Sequence, residues 1–196
     1  MFAEIPAAMA TRMRELEARD ADERRRGLPA AERLCQVPSE TGRLLALLAA
    51  TAPAGAWLEV GTSAGYSTLW LALAARATGR RVRTLERAEW KLALARETFA
   101  RAGVEDVVEL VAGDAREALA GAGSIGFCFL DAAKGEHTDY YALAVPRLAR
   151  GGLLVADNIV SHAEALAPFV ASALADPRLD AAVLGVGKGL LLGRRT

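Results

Sequence analysis

Residues Leu58–Trp70 read LEVGTSAGYSTLW, and the fold turns on what Gly61-Thr62-Ser63-Ala64-Gly65 does. Those five residues match G-x-S-x-G, the strand-to-helix turn that carries the nucleophile of serine hydrolases. They equally fit a glycine-permitted turn whose backbone passes close to a nucleotide-like cofactor at a helix N-terminus. Both readings need a strand before the turn and a helix after it. AWLEV (56–60) supplies the short apolar strand, and AGYSTLWLALAARA (64–77) supplies a helix ending near Gly79.

Beyond this unit, short apolar runs alternate with helical patterns. The runs are RVRTLE (81–86), VVELVAG (107–113), IGFCFLD (125–131) and GGLLVADN (151–158). Between them lie an amphipathic helix over 88–103, a short helix opened by a capping box of Asp114 and Glu117, and a helix through YYALAVPRLAR (140–150). A helix at 163–175 follows, then two strands within RLDAAVLGVGKGLLLGRR (178–195), joined at Gly185–Gly189. Such alternation calls for an α/β protein with a parallel sheet covered on both faces. The final turn is too short for a crossover helix, so the last strand is expected to run antiparallel. That makes a seven-stranded, mostly parallel sheet. Residues before about 50 read as wholly helical, with Met9, Met13 and Leu16 forming an apolar stripe that suits packing on the body or a subunit interface. The chain of 196 residues is expected to form one domain, 1–196, with an N-terminal helical extension (1–38) on a cofactor-binding core (39–196).

Bulk properties exclude more than they assign. Acidic and basic residues balance at 24 each, so no global field favours nucleic acid or an anionic membrane. Arg24-Arg25-Arg26, preceded by Asp20, Asp22 and Glu23, reads as a solvated helix face. Cys35 and Cys128 match no metal or redox spacing, which suits a reducing compartment, and Cys128 reads as a core residue. MFAEIPAAMA (1–10) lacks a signal-peptide pattern and no apolar run is long enough to span a bilayer, so a soluble cytoplasmic protein is expected.

In open α/β sheets, ligands sit outside the carboxyl ends of the strands. The polar residues there are Glu59, Gly61 and Ser63, then Glu86, Asp114, Asp131 with Lys134, and Asp157 with Asn158. A hydrolase would use Ser63, Asp131 or Asp157, and His162. It would place its elbow after the first strand, without an oxyanion loop before it, and leave Glu86 without a role. A cofactor site gives Glu86 one: it lies 21 residues beyond Gly65 at the end of the next strand, where a carboxylate holds ribose hydroxyls. The loop is not G-x-G-x-x-G and no Arg cluster awaits a pyrophosphate, which disfavours a nicotinamide oxidoreductase. An acid-lined site suits a phosphate-free, cationic nucleoside cofactor, S-adenosylmethionine.

LEVGTSAGYSTLWLA, TLERAEWKLALARETFARAGV, ELVAGDA, FLDAAK and GGLLVADNIV, in that order, resemble the successive motifs of the cation-dependent O-methyltransferases. That family includes catechol O-methyltransferase, the caffeoyl-CoA enzymes and small bacterial relatives; the resemblance runs from about Val37 to the C-terminus. It implies a Rossmann-like class I methyltransferase fold. It also implies that Glu59, Gly61, Thr62 and Ser67 serve the cofactor's amino-acid end and the turn. Val37 then lies over the methionine part, Glu86 holds the ribose, and Asp114 and Ala115 flank the adenine. Asp131 belongs to both the cofactor and the metal sets. Asp131, Asp157 and Asn158 are implied to bind Mg²⁺ or another divalent cation, for which hard oxygen donors are apt. Lys134 is the candidate general base. The implied partners are a small catechol-like or vicinally hydroxylated acceptor and a second copy of the chain, through N-terminal helices.

The sequence departs from that pattern at four places. Ala133 stands where an Asp is usual, His137 where a Tyr is common, and Lys188 where an acid is typical. A compact IVSHAEALAPF (159–169) replaces a longer segment that helps wall the acceptor pocket. His137 and His162 flank the expected metal. A cofactor-binding protein without metal chemistry is the main alternative.

Overall fold

The computed structural model describes residues 4–196; Met1–Ala3, which begin the stretch read for a targeting signal, lie outside them. Among the described residues, seven strands form one sheet: β1 (Ala56–Val60), β2 (Val82–Glu86), β3 (Val108–Ala112), β4 (Ile125–Leu130), β5 (Leu148–Ala156), β6 (Leu179–Leu184) and β7 (Leu190–Arg195). Their order is β3-β2-β1-β4-β5-β7-β6. Only β7 runs antiparallel to its neighbours, β5 and β6. The turn before it has no room for a helix, as expected. The helices are α1 (Ala7–Arg25), α2 (Ser39–Thr51), α3 (Tyr66–Thr78), α4 (Glu89–Ala102), α5 (Ala115–Gly121), α6 (His137–Ala144) and α7 (Ala163–Ala175).

Two apolar clusters lie on opposite faces of the sheet. One gathers Trp57, Phe127, Phe129 and Val155 with residues of α1 to α4; the other gathers Leu58, Cys128, Leu130 and Leu154 with Tyr141 and Phe169. Every residue of β4 is buried, the near-continuous apolar run that a strand covered on both faces requires. Burial alone pushes the Cys128 thiol up to about 12, so it is the inert core residue the sequence suggested.

The strand order reverses between β1 and β4, opening a crevice at their carboxyl ends. No described helix is long and apolar enough to cross a membrane.

One open alternative is decided and two expectations change. Met9, Met13 and Leu16 are 0%, 4% and 1% exposed within this one chain, so the α1 stripe is used against α3 and α4 and is not free for a second copy. The N-terminal region is not wholly helical: after a 3₁₀ turn at Ala30–Glu32, Arg33–Pro38 carries no helix, and Pro29 and Pro38 bound that segment in extended conformation. The helix expected through 150 ends at Ala144. Pro146, which has no N–H to continue it, sits in a 3₁₀ turn, and β5 starts at Leu148, paired with Ile125.

Candidate functional site

The quoted turn does occupy the β1–α3 junction. Gly61 has φ +104°, and a Cβ there would lie 2.3 Å from the Asp131 carbonyl oxygen, so only glycine lets the tips of β1 and β4 approach this closely. Its amide and that of Thr62 donate to the Leu85 carbonyl at 3.0 and 3.2 Å. Gly65, at φ +89°, is the N-cap of α3. Its missing Cβ leaves room for the Phe99 ring, which would otherwise stand 2.6 Å away.

Glu59 lies beneath the turn, fully buried. Ser67 Oγ, Thr68 Oγ1 and Thr84 Oγ1 donate to its carboxylate at 2.6, 2.5 and 2.6 Å. Burial raises its pKa to about 7 against the opposing effect of those three hydroxyls. Glu59 therefore braces β1, β2 and α3 and does not face the cleft.

Glu86 does face the cleft. Its Oε2 accepts from the Ser63 amide, and its Oε1 from the amides of Arg87 and Ala88, each at 2.9 Å. Ser63, with φ +50°, donates its hydroxyl to the Leu34 carbonyl at 2.7 Å. That bond ties the turn to the segment 33–38, which crosses the crevice as a strap. Glu23 holds the strap from α1 by accepting from the Leu34 amide at 2.7 Å. From the opposite side Lys188 donates to the carbonyls of Cys35 and Gln36 at 3.2 and 2.9 Å.

Strap, turn and the tips of β2, β4 and β5 enclose a cleft of about 780 Å³. Of the residues expected in the site, Val37, Gly61, Thr62, Ser67, Glu86, Ala115, Asp131, Lys134 and Asn158 line it; Glu59, Asp114 and Asp157 do not. Asp114 is the N-cap of α5, accepting from the Arg116 amide at 2.9 Å, and also pairs with the Arg116 guanidinium at 2.7 Å. The other half of the expected capping box is absent: the Glu117 amide donates to the Asp114 backbone oxygen, and Glu117 is exposed.

At the other end of the cleft, neighbouring strands β4 and β5 bring the oxygen donors together. Asn158 Nδ2 donates to Asp131 Oδ1 at 2.6 Å, and Lys134 Nζ donates to the same oxygen at 3.2 Å and to the Ala132 carbonyl at 3.0 Å. Asn158 holds φ +70°, a strained value that asparagine tolerates better than most residues. Asp157 is fully buried, and neither of its carboxylate oxygens has a hydrogen-bond partner. Burial first, and then the neighbouring Asp131 charge, hold its carboxyl above the usual range. No three His, Cys, Asp or Glu side chains cluster among the described residues. The set here is two carboxylates and a carboxamide, all hard oxygen donors of the kind Mg²⁺ accepts, with one carboxylate lacking any other partner. The residues fit a divalent cation.

The two histidines part ways. His137 is fully buried, edge-on to Phe169 at 5.5 Å, with Nδ1 3.2 Å from the Ala133 carbonyl. Burial lowers its pKa. His162 is the N-cap of α7 and lines the cleft, its Nδ1 3.0 Å from Ser161 Oγ. Ser63 Oγ bonds to a backbone carbonyl and His162 to Ser161, so a Ser63–His162 hydrolase pair is not assembled. The sequence marked Lys188 only as a departure and gave Gln36 and Ser161 no role, although all three line the cleft. Nothing local signals them, because the strap, the loop after Asn158 and the β6–β7 turn meet only in the folded chain.

A doubly wound sheet with an antiparallel last strand, a glycine turn at its switch point and carboxylates around the crevice define a nucleoside-binding type of α/β protein. The family model described as O-methyltransferase matches residues 19–196, and the chain belongs to that family. It is 39% identical over 126 residues to a catechol O-methyltransferase of Mycobacterium tuberculosis and 38% identical over 146 residues to one of Niastella koreensis. These matches take in 63% and 71% of this chain but only 57% and 63% of those proteins. The crystal structure of the O-methyltransferase from Bacillus cereus in complex with SAH superimposes with a TM-score of 0.78 at 28% identity, covering 95% of this chain and 91% of that one. The fold is thus the class I methyltransferase fold that the sequence implied.

Proposed function

We propose that the chain transfers a methyl group from S-adenosylmethionine to a hydroxyl of a small catechol-like or vicinally hydroxylated acceptor, assisted by Mg²⁺ or another divalent cation. One observation carries the metal part: Asp157 buries both carboxylate oxygens without a partner, beside Asp131 and Asn158. An orphaned buried anion is costly, and a hard cation among oxygen donors removes that cost. The catechol O-methyltransferase relatives support the acceptor class, and the SAH-bound relative supports the cofactor.

The bound sulfonium supplies an electrophilic methyl group, and the cation supplies Lewis acidity toward a hydroxyl. The chain's own residues do the remainder. Glu86, fixed by three backbone amides, presents its carboxylate to a ribose. Glu59 holds the turn rigid from below, and Val37 on the strap closes the cleft against water. Lys134 Nζ, held beside Asp131, would receive the acceptor's proton as a neutral amine, its own proton having first left to solvent. Holding both reactants between strap and strand tips lowers the barrier through alignment. A homodimer, if formed, uses surfaces other than the α1 stripe.

One observation favours a metal-independent variant: Asp131 Oδ1 already accepts from Lys134 and Asn158. Methyl transfer to catechol, with and without EDTA, decides between the two. Turnover abolished by EDTA and restored by Mg²⁺ supports the metal-assisted reaction. Turnover indifferent to EDTA supports the variant, and no turnover with intact SAH binding leaves a cofactor-binding protein.

A further inference from the structure

The β6–β7 turn carries an ammonium group into the cleft, where it meets the strap. The Lys188 carbonyl accepts from the amides of Val160 and Ser161 at 3.0 and 3.1 Å, and the Gly189 carbonyl from Ile159 at 2.9 Å. This places residue 188 directly against the loop that follows Asn158. Gly187 and Gly189 make the approach possible. A Cβ at either would lie 2.3 Å from Thr41 Oγ1 or 2.4 Å from Val160 Cγ2.

The Lys188 side chain is half-buried and lines the cleft. It differs from the other lysine at this end in its partners. Lys134 pairs with Asp131, whereas Lys188 is held only by the carbonyls of Cys35 and Gln36, with no described carboxylate at ion-pair distance. Two carbonyls use two of its three N–H donors and leave the charge uncompensated. On the proposed function the Asp131 and Asp157 carboxylates are committed to the cation, which leaves the Lys188 charge free for the acceptor.

We infer that Lys188 selects an acceptor bearing an anionic substituent, a carboxylate on the vicinal diol's ring, which its ammonium group receives at the strap side of the cleft. This rests on the proposed methyl transfer for the placement of the acceptor, but it makes a separate demand, discrimination by charge at constant shape.

The test uses the full chain loaded with SAH and Mg²⁺, titrated calorimetrically with 3,4-dihydroxybenzoate and with its neutral isostere 3,4-dihydroxybenzamide. Wild type is expected to bind the benzoate about 10- to 100-fold more tightly, the range of a hydrogen bond to a charged group. Lys188→Met is expected to erase that preference and Lys188→Arg to keep it. The ratio of the two ligands is the readout, because loosening the strap weakens both alike. A ratio unchanged in Lys188→Met overturns the inference and makes Lys188 a strap tie only. Binding of neither compound by wild type overturns the inference together with the acceptor class. Turnover of both compounds at equal rates, with equal affinity, overturns the inference and leaves the proposed function standing.

Discussion

Asn158 Nδ2 reaches Asp131 Oδ1 at 2.6 Å, joining the tips of two adjacent parallel strands 27 positions apart in sequence. Asp157, one residue earlier and inside the protein, shares that tip, yet its carboxylate oxygens have no hydrogen-bond partner. This contrast frames the first prediction.

Asp157→Asn replaces an unpaired buried charge with a neutral isostere. The metal-free variant is expected to be at least as stable as wild type, since an uncompensated buried ion is the costlier group. Wild type should gain thermal stability with millimolar Mg²⁺, as any ligand of the native state confers, and the variant should lose that gain. Calorimetric melting with and without the ion checks both statements. A variant that keeps the Mg²⁺ shift removes Asp157 from the ligand set.

Glu86→Gln is expected to weaken SAH by about 1.5–3 kcal/mol, the range for hydrogen bonds to a charged acceptor. Gln keeps a carbonyl for the backbone amides, so folding should suffer less than in Glu86→Ala. Titration calorimetry measures the loss, and an unchanged dissociation constant would place the ribose elsewhere.

Glu59 gives stability a definite pH dependence. Its folded pKa is raised to about 7 from the ordinary 4.5, so the folded state holds the proton more tightly. Its contribution is complete below about 4.5 and declines as pH rises to about 7. The loss is on the order of 3 kcal/mol, at about 1.4 kcal/mol per unit. Glu59→Gln should flatten this component of the curve, measured by denaturant melts between the two limits. A slope identical in wild type and variant refutes the assignment.

Gly61→Ala places a methyl 2.3 Å from the Asp131 carbonyl oxygen at φ +104°. Strain and overpacking together should cost on the order of 3 kcal/mol, and the displaced β4 tip should also reduce Mg²⁺ affinity. Denaturant midpoint and metal titration read the two effects separately. Gly79→Ala, at another positive-φ glycine with open space around it, provides the comparison for strain alone.

Much of the architecture was readable because it is local. Apolar runs of strand length alternate with amphipathic helices, and the five-residue final turn dictates an antiparallel β7. The general rule for open sheets placed Glu86 and Asp131 at the crevice correctly, but not Glu59, Asp114 or Asp157, which do not line it. Two local readings failed for reasons outside their own windows. Leu148–Arg150 looked helical yet lies in β5, with Leu148 paired to Ile125 once Pro146 ends the helix, and Arg33–Pro38 carries no helix, turning at Cys35 with φ +55° against the cleft.

The chain's own order of residues determined the strand–turn–helix unit, the identity of the oxygen donors and the family. Period and turn chemistry act over a few residues, so a linear reading reaches them. Only the tertiary structure decided which donors face the cleft, that Glu59 is a buried brace, that Asp157 lacks a partner and that Lys188 meets Cys35 and Gln36 across 153 and 152 positions. Those facts depend on the reversal of strand order between β1 and β4 and on the strap laid over it. Burial and hydrogen-bond partners are set by that packing, and the same side chain has a different charge cost in each setting.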